Sequence, residues 1–493
     1  MTSVRLIPRT VKNNSRPRMV RALLATLFLI FAIGAANSEA ASANKTDTTK
    51  LEERIMHSRA FETVMWSVPL MNYTAMRNGY REGAGVGYND VVYHSKIQTW
   101  ELEIPTGNNT TPYIIAYWTV KDGPVVVEIP ASTEDVSLFG AMMDSWQRPI
   151  AEVGLAGVDG GRGGKILILP PDYQGILPVG YLVARQKTYE GYFLLRPVIA
   201  DNSEANLKKA EQFAKQFKIY PLAKAENPPE TRHIDCYRKR VHAIVDYDAS
   251  YFDSLHEILQ QEYIEEKDIA ILGLADSIGI RKGDAFKPDE TTKKILDSAA
   301  KEAHQYLISL FFDELGPVFY ENQQWFTLNL YGTVETGFGY THPTFVDLDT
   351  RAALYYGIFS SVERLGAGTF YFVNAKDATG AWLDGSEDYK LTVPADVPAK
   401  QFWSAVVHDV ETAAWFTDLP INKEGVASFT AGLEKNPDGS VHVYFGPKAP
   451  KGKETNWLPT VPGKKFFLIF RFYGPKPAFF NKSWKLNDVE KLK

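Results

Sequence analysis

The sequence predicts a mainly β protein with a helical middle region, and three observations carry that reading. Between Tyr88 and Ile199 apolar residues recur with a period of two, or in short runs cut by turn formers. Through the middle of the chain the spacing lengthens to three and four residues. From Thr369 onward short strand-like runs return, dense in aromatic residues. The 493 residues are 45% hydrophobic and 23% charged, enough for about three folding units with their own cores. Those proportions exclude a disordered, collagenous or disulfide-framework protein.

Residues 1–40 read as a secretory signal peptide. Arg5, Arg9, Lys12, Arg16, Arg18 and Arg21 form a basic stretch, the apolar run Ala22 to Ala36 follows, and small residues at Ser38 and Ala40 suit cleavage after Ala40. The apolar run is short for a bilayer span, which needs about 20 residues. The rival reading is an uncleaved amino-terminal anchor. No other segment approaches spanning length, so no membrane span is expected after signal removal. Without residues 1–40 the chain keeps 48 Lys+Arg against 58 Asp+Glu, a net charge of −10. Nucleic-acid partners are therefore not expected, because such proteins concentrate positive charge. The single cysteine, Cys236, allows no intrachain disulfide, fits no zinc spacing with His233 and His242, and reads as a small apolar filler.

Residues 41–205 are expected to form a β-sandwich domain with a leading helix. Ala41 to Lys50 is a flexible polar leader; Leu51, Ile55, Phe61, Met65 and Val68 then repeat with helical spacing up to Pro69, which should break or bend the helix. Strands are expected at Trp100–Ile104, Tyr113–Val120, Val125–Ile129, Ile166–Leu169, Tyr181–Gln186 and Gly191–Pro197, and six strands with few intervening helices argue for an antiparallel sandwich. Residues 206–365 form the helical region. Asp201-Asn-Ser-Glu204 has capping-box spacing before a helix over Leu207–Phe217, and helices follow at Ala249–Glu265, Asp289–Asp313 and Asp347–Val362. Residues 366–493 return to strands at Thr369–Val373, Tyr389–Val393, Phe402–Asp409, Val441–Phe445 and Phe466–Tyr473, which suits a jelly-roll-like sandwich.

Several strings mark a resemblance. Leu383-Asp-Gly385, Gln401-Phe-Trp-Ser404, Asn436-Pro-Asp-Gly-Ser440, Asn456-Trp-Leu-Pro459 and Arg471-Phe-Tyr-Gly-Pro475 resemble the bacterial domain of unknown function 1214. Asn109-Thr-Thr-Pro-Tyr113, Asp122-Gly-Pro-Val-Val126, Ile129-Pro130 and Ile168-Leu-Pro-Pro171 are similar to its usual partner, domain of unknown function 1254. The resemblance implies an exported protein with an immunoglobulin-like sandwich, a helical middle and a jelly-roll-like C-terminal domain, often a homo-oligomer. It carries no catalytic residues. Many relatives have tyrosine where this chain has His408.

Catalytic signatures are missing. There is no G-x-S-x-G, H-E-x-x-H or strand-linked G-x-G-x-x-G, and the Gly157–Lys165 loop has Asp159 and Ile166 where a phosphate loop needs Gly and Ser or Thr. His408, Asp409 and His442 form the only metal set the strands permit, but adjacent residues face opposite sides of a strand, so no metal and no cofactor is expected. Asp384, Glu387 and Asp388 read as a solvated turn rather than a hydrolytic pair. Trp382, Trp403, Trp415, Trp457 and Trp484 can stack sugars or fill a core. Asn456, Trp457 and Arg471, with Asp409 and His408, are the candidate ligand set; alternatively Arg471 pairs with Asp409 and ties strands together. The expected function is the binding of a glycan or another small polar molecule, and the alternative is an extracytoplasmic hydrolase or lyase with a site between domains.

Overall fold

The computed structural model describes residues 26–314, 318–327, 340–358, 369–417, 419 and 423–492, and its contacts divide the chain into Met1–Met56 and His57–Lys493. The second unit is built of β-sheets with a helical middle region. A six-stranded sheet runs in the order His233–Asp235, Val91–Tyr93, Ile114–Thr119, Glu190–Val198, Ser137–Asp144, Pro149–Gly154. A four-stranded sheet runs Lys218–Pro221, Val125–Ile129, Gly164–Leu169, Leu182–Arg185. Trp118, Phe193 and Leu195 of the first sheet share one core with Val127, Ile166 and Ile168 of the second. Most pairings are antiparallel, as expected, but His233–Asp235 and Leu182–Arg185 join their sheets in parallel.

Toward the C-terminus a five-stranded sheet has the order Phe326–Thr327, Thr369–Asn374, Phe466–Tyr473, Trp403–Asp409, Gly425–Ala427. Its four-stranded partner has the order Trp457–Pro459, Val441–Gly446, Tyr389–Val393, Val489–Lys491. Phe372, Trp403, Leu468 and Phe470 of one meet Leu391, Val443 and Phe445 of the other in a single core. Helices Ser250–Gln261, Ile269–Ser277, Glu290–Ser309 and Leu348–Gly357 lie between these two β regions in the chain.

The strand positions inside the predicted runs hold, and Val125–Ile129, Tyr389–Val393 and Phe466–Tyr473 match residue for residue. Several short strands escaped sequence reading, and so did two longer ones, Ser137–Asp144 and Pro149–Gly154. One is interrupted by Gly140 and pairs through a bulge at Met142/Met143; the other begins on a proline. Residues 359–362 of the helix expected over Asp347–Val362 lie outside the described residues.

Three local expectations are corrected. The helix Thr26–Ala84 includes residues 41–50, where a flexible leader was expected, and runs through Pro69 without ending. From Thr63 to Thr74 every residue is buried, so packing on all sides overrides the proline. The proline turn also gains long-range partners: Gln147 Nε2 donates to Pro69 O at 2.9 Å, and Arg351 donates to Trp66 O. The helix after Asp201 is Glu204–Ala214 with Ser203 as its cap, while Asp201 instead accepts from Ser203 N at 2.8 Å.

No described helix is long and apolar enough to cross a membrane. Cys236 is buried, and burial pushes its thiol up to about 12. A thiol held so far above neutrality is unreactive. Native protein at pH 8 should therefore resist a thiol reagent that labels one equivalent after denaturation; fast native labelling would contradict the placement.

Candidate functional site at the junction of the β regions

The site starts from strand alternation. Along Trp403–Asp409 and Phe466–Tyr473, Trp403, Ala405, Val407, Phe466, Leu468, Phe470 and Phe472 point into the C-terminal core. Their neighbours therefore face the other way. Register sets Tyr371 opposite Arg471 and Arg471 opposite Ser404, which makes one row across three strands. Side chains so paired on one face stand about 5 Å apart. His408 lies four residues along the same strand face from Ser404.

The segment Pro105–Tyr113 from the N-terminal β region covers this face. Its proline, glycine and asparagines make it a turn rather than a strand, and a turn presents backbone carbonyls outward. Arg471 Nη2 donates to Thr106 O and Gly107 O, both at 2.9 Å, and His408 Nε2 lies 3.3 Å from Gly107 O. Thr106 N donates to Ala413 O at 2.7 Å. Tyr473 Oη lies 2.5 Å from Thr110 Oγ1 and donates to Asn108 Oδ1 at 3.3 Å. A Cβ on Gly107 would stand 2.7 Å from the Trp415 ring, so only glycine lets the turn come this close. Arg196, on the strand Glu190–Val198, reaches in from the side and donates to Tyr371 Oη at 3.2 Å.

Among the described residues, six buried polar atoms here have no hydrogen-bond partner: Asn109 Oδ1, Ser404 Oγ, His408 Nδ1, Trp415 Nε1, and Arg471 Nε and Nη1. Burial, reinforced by the Arg471 charge, holds the His408 imidazole well below its ordinary pKa, so it is neutral. Burial works against the charge on Arg196, but the phenols of Tyr113, Tyr371 and Tyr473 keep it a cation. Burial also pushes the Tyr371 phenol up, yet the charges of Arg196 and Arg471 outweigh it and bring the phenol below its ordinary value.

Of the sequence candidates, the structure brings His408 and Arg471 together and separates the rest. Asp409 pairs with Lys464 at 2.6 Å, not with Arg471, because its register partner is Phe466. Trp457 opens an edge strand of the four-stranded sheet, Asn456 ends the 3-10 turn Glu454–Asn456 just before it, and their polar atoms are occupied. Asn456 accepts from Glu434 N and donates to Glu434 O and His442 O, each at 2.9 Å; Trp457 Nε1 donates to Gly446 O at 2.9 Å. They complete a strand edge and do not converge with Arg471. His408 and His442 lie on different sheets, so the two-histidine set does not form, and no group of three metal-binding side chains occurs among the described residues. Asp384 caps Ser386 N at 2.8 Å and Glu387 pairs with Lys491, as a turn requires. Trp403 stacks on Phe470 in the core, at 5.2 Å between centroids.

Sequence reading missed Arg196, Tyr371, Tyr473, Asn109 and Ser404. Asn109, Ser404 and Tyr473 were visible only as members of family-like strings, and those strings from both ends of the chain meet here. A further link is Glu424, which accepts from Trp100 N at 3.0 Å; burial pushes its carboxyl up to about 7. The folded state therefore holds a proton that the unfolded chain releases near its ordinary value of about 4.5. Its stabilising effect is complete below that value and is lost as pH rises toward 7. Glu424→Gln should gain roughly 1–3 kcal/mol over the wild type between pH 4.5 and 7. Urea titrations at both pH values check this, and a pH-independent difference would contradict it.

Residues 89–221 match the family model Protein of unknown function (DUF1254), and residues 368–477 match Protein of unknown function (DUF1214). Among solved structures, the chain is similar to the VPA0106 protein from Vibrio parahaemolyticus, with 19% identity, a TM-score of 0.53 and coverage of 89% of this chain and 100% of that one. That likeness is one of fold. An uncharacterized protein from Burkholderia cenocepacia is matched at 13% identity and a TM-score of 0.37, over 92% and 98% of the two chains. No curated protein matches the chain.

Proposed function

For a chain that carries the DUF1254 and DUF1214 domains in that order, we propose an exported protein, periplasmic or extracellular, that binds a glycan or another small polar molecule at the junction of its two β regions. The supporting observation is the set of six buried polar atoms, unpartnered among the described residues, on Ser404, His408 and Arg471 of the five-stranded sheet and on Asn109 and Trp415 beyond its strands. Buried polar groups are ordinarily paired, and leaving one unpaired costs about 1–3 kcal/mol. A ligand offering both donors and acceptors would complete them. The basic and apolar run of residues 1–36 supports export. A glycan array followed by calorimetry on the full chain tests the reading: at least one saturable ligand is expected, and a clean blank counts against it. Mass spectrometry of the protein in its native host should find Ala41 as the first residue; retention of residues 1–40 on cytosolic material would refute export.

Tyr371 favours a second reading, an extracytoplasmic hydrolase or lyase. A phenol held below its ordinary value between two guanidinium groups gives up its proton more readily than a free phenol, which suits proton transfer with a substrate. Incubation with acidic polysaccharides would then release new reducing ends or ultraviolet-absorbing unsaturated products; unchanged polymer argues for binding alone.

A further inference from the structure

The junction's charges go beyond a generic polar site. We infer that Arg196 and Arg471, flanking Tyr371, form an oxyanion subsite that holds a carboxylate or phosphate group of the bound molecule. This rests on the binding reading above and names its ligand class.

The argument begins with how this chain treats its other buried arginines. Arg77, 5% exposed, pairs with Glu190, and Arg148 pairs with both Asp144 and Glu265. Arg351 has no ion pair among the described residues, but the charge of Asp268 acts on it. Arg471 is 2% exposed, and its partners are two neutral carbonyls on a single nitrogen, Nη2. Among the described residues, Arg196 meets the Tyr371 hydroxyl and the Tyr113 ring face, 5.3 Å from its Cζ. Neither guanidinium meets a carboxylate among the described residues. A buried cation without a counter-charge is costly, and a guanidinium fork matches carboxylate and phosphate oxygens in a two-bond geometry.

The two cations share one neighbour, Tyr371. Arg196 bonds the Tyr371 hydroxyl, and the Arg471 Cζ is 5.7 Å from the Tyr371 ring centroid. The unpartnered atoms are mostly donors: Arg471 Nε and Nη1, Ser404 Oγ and Trp415 Nε1, against the acceptor Asn109 Oδ1. Neutral His408, with its Nε2 proton directed at Gly107 O, adds a second acceptor and no charge. Donors in excess beside two positive charges select an acceptor-rich anion. The lowered Tyr371 phenol reports the same field, which favours a negative oxygen at that spot. Arg196 and Tyr371 are only partly buried.

Calorimetric titration of the full chain with galacturonate, inorganic phosphate and galactose tests this. The expected result is saturable binding of one or both anions and none of galactose at equal concentration; galacturonate alone would mark a carboxylate ligand, phosphate alone a phosphorylated one. Arg196→Met, at a part-exposed position, should weaken anion binding roughly ten- to a hundredfold with an unchanged melting temperature. Arg196→Gln serves if the methionine variant folds poorly. Equal binding of galactose and anions, or full affinity in either variant, overturns the oxyanion subsite and leaves polar binding intact. Anions that fail to bind while the glycan array finds a neutral ligand also overturn it; failure of both overturns the binding reading itself.

Discussion

Replacing Arg77 with methionine should cost about 3–5 kcal/mol of folding stability, because it strands a buried carboxylate. Glu190 is 2% exposed and accepts from Arg77, from Tyr73 Oη at 2.9 Å and from Tyr88 Oη at 2.5 Å. Without the guanidinium, two phenols must stabilise a full negative charge in a site where the buried carboxyl of Glu262 already adds repulsion. The pair ties the helix Thr26–Ala84 to the strand Glu190–Val198, which also carries Arg196. The double variant Arg77→Met/Glu190→Gln should recover part of the loss, since neither partner is then left charged alone. Urea unfolding of both variants measures this. A loss below about 1 kcal/mol for Arg77→Met would mean that Glu190 is not held as described.

Phe470→Ala should cost a similar amount, about 3–5 kcal/mol, and leave binding at the junction intact. Phe470 is fully buried, stacks on Trp403, and packs 5.0 Å from Phe472 between ring centroids. Truncating it opens a cavity that a rigid sheet pair fills poorly. Arg471, the next residue, faces away from that core. The folded fraction of Phe470→Ala should thus keep its affinity for whatever the junction binds, while Arg196→Met keeps its stability and loses affinity. A denaturation series read beside calorimetry separates the two. Loss of binding in folded Phe470→Ala would show that core and junction are not independent.

The strands were legible because alternation and turn formers are local signals. Phe466–Tyr473 announces itself by its aromatic run, and the Pro-Asp-Gly turn closes where Asn436 N donates to Ser440 O at 2.8 Å. Pro69 misled because local propensity was weighed without burial on every side. The candidate site was half legible. Arg471 and His408 stood out as polar residues in apolar strands, but what they face is a turn more than 300 positions away in the chain. Asn456 and Trp457 carry the same residue types as a sugar site, yet they spend their hydrogen bonds on neighbouring backbone. Residue type suggested a ligand; only the hydrogen-bond partners distinguish an occupied side chain from an open one. Arg196 was unreadable for the same reason: nothing along the strand Glu190–Val198 signals that its guanidinium meets Tyr371.

The most direct measurement is a crystal structure of the full chain purified from its native host without added ligand. The account predicts non-protein density carrying at least two oxygens within hydrogen-bond reach of Arg471 Nε or Nη1 and of Arg196. Ordered waters alone bridging those nitrogens, Ser404 Oγ and Trp415 Nε1, in protein that retains its ligand affinity elsewhere, would contradict it.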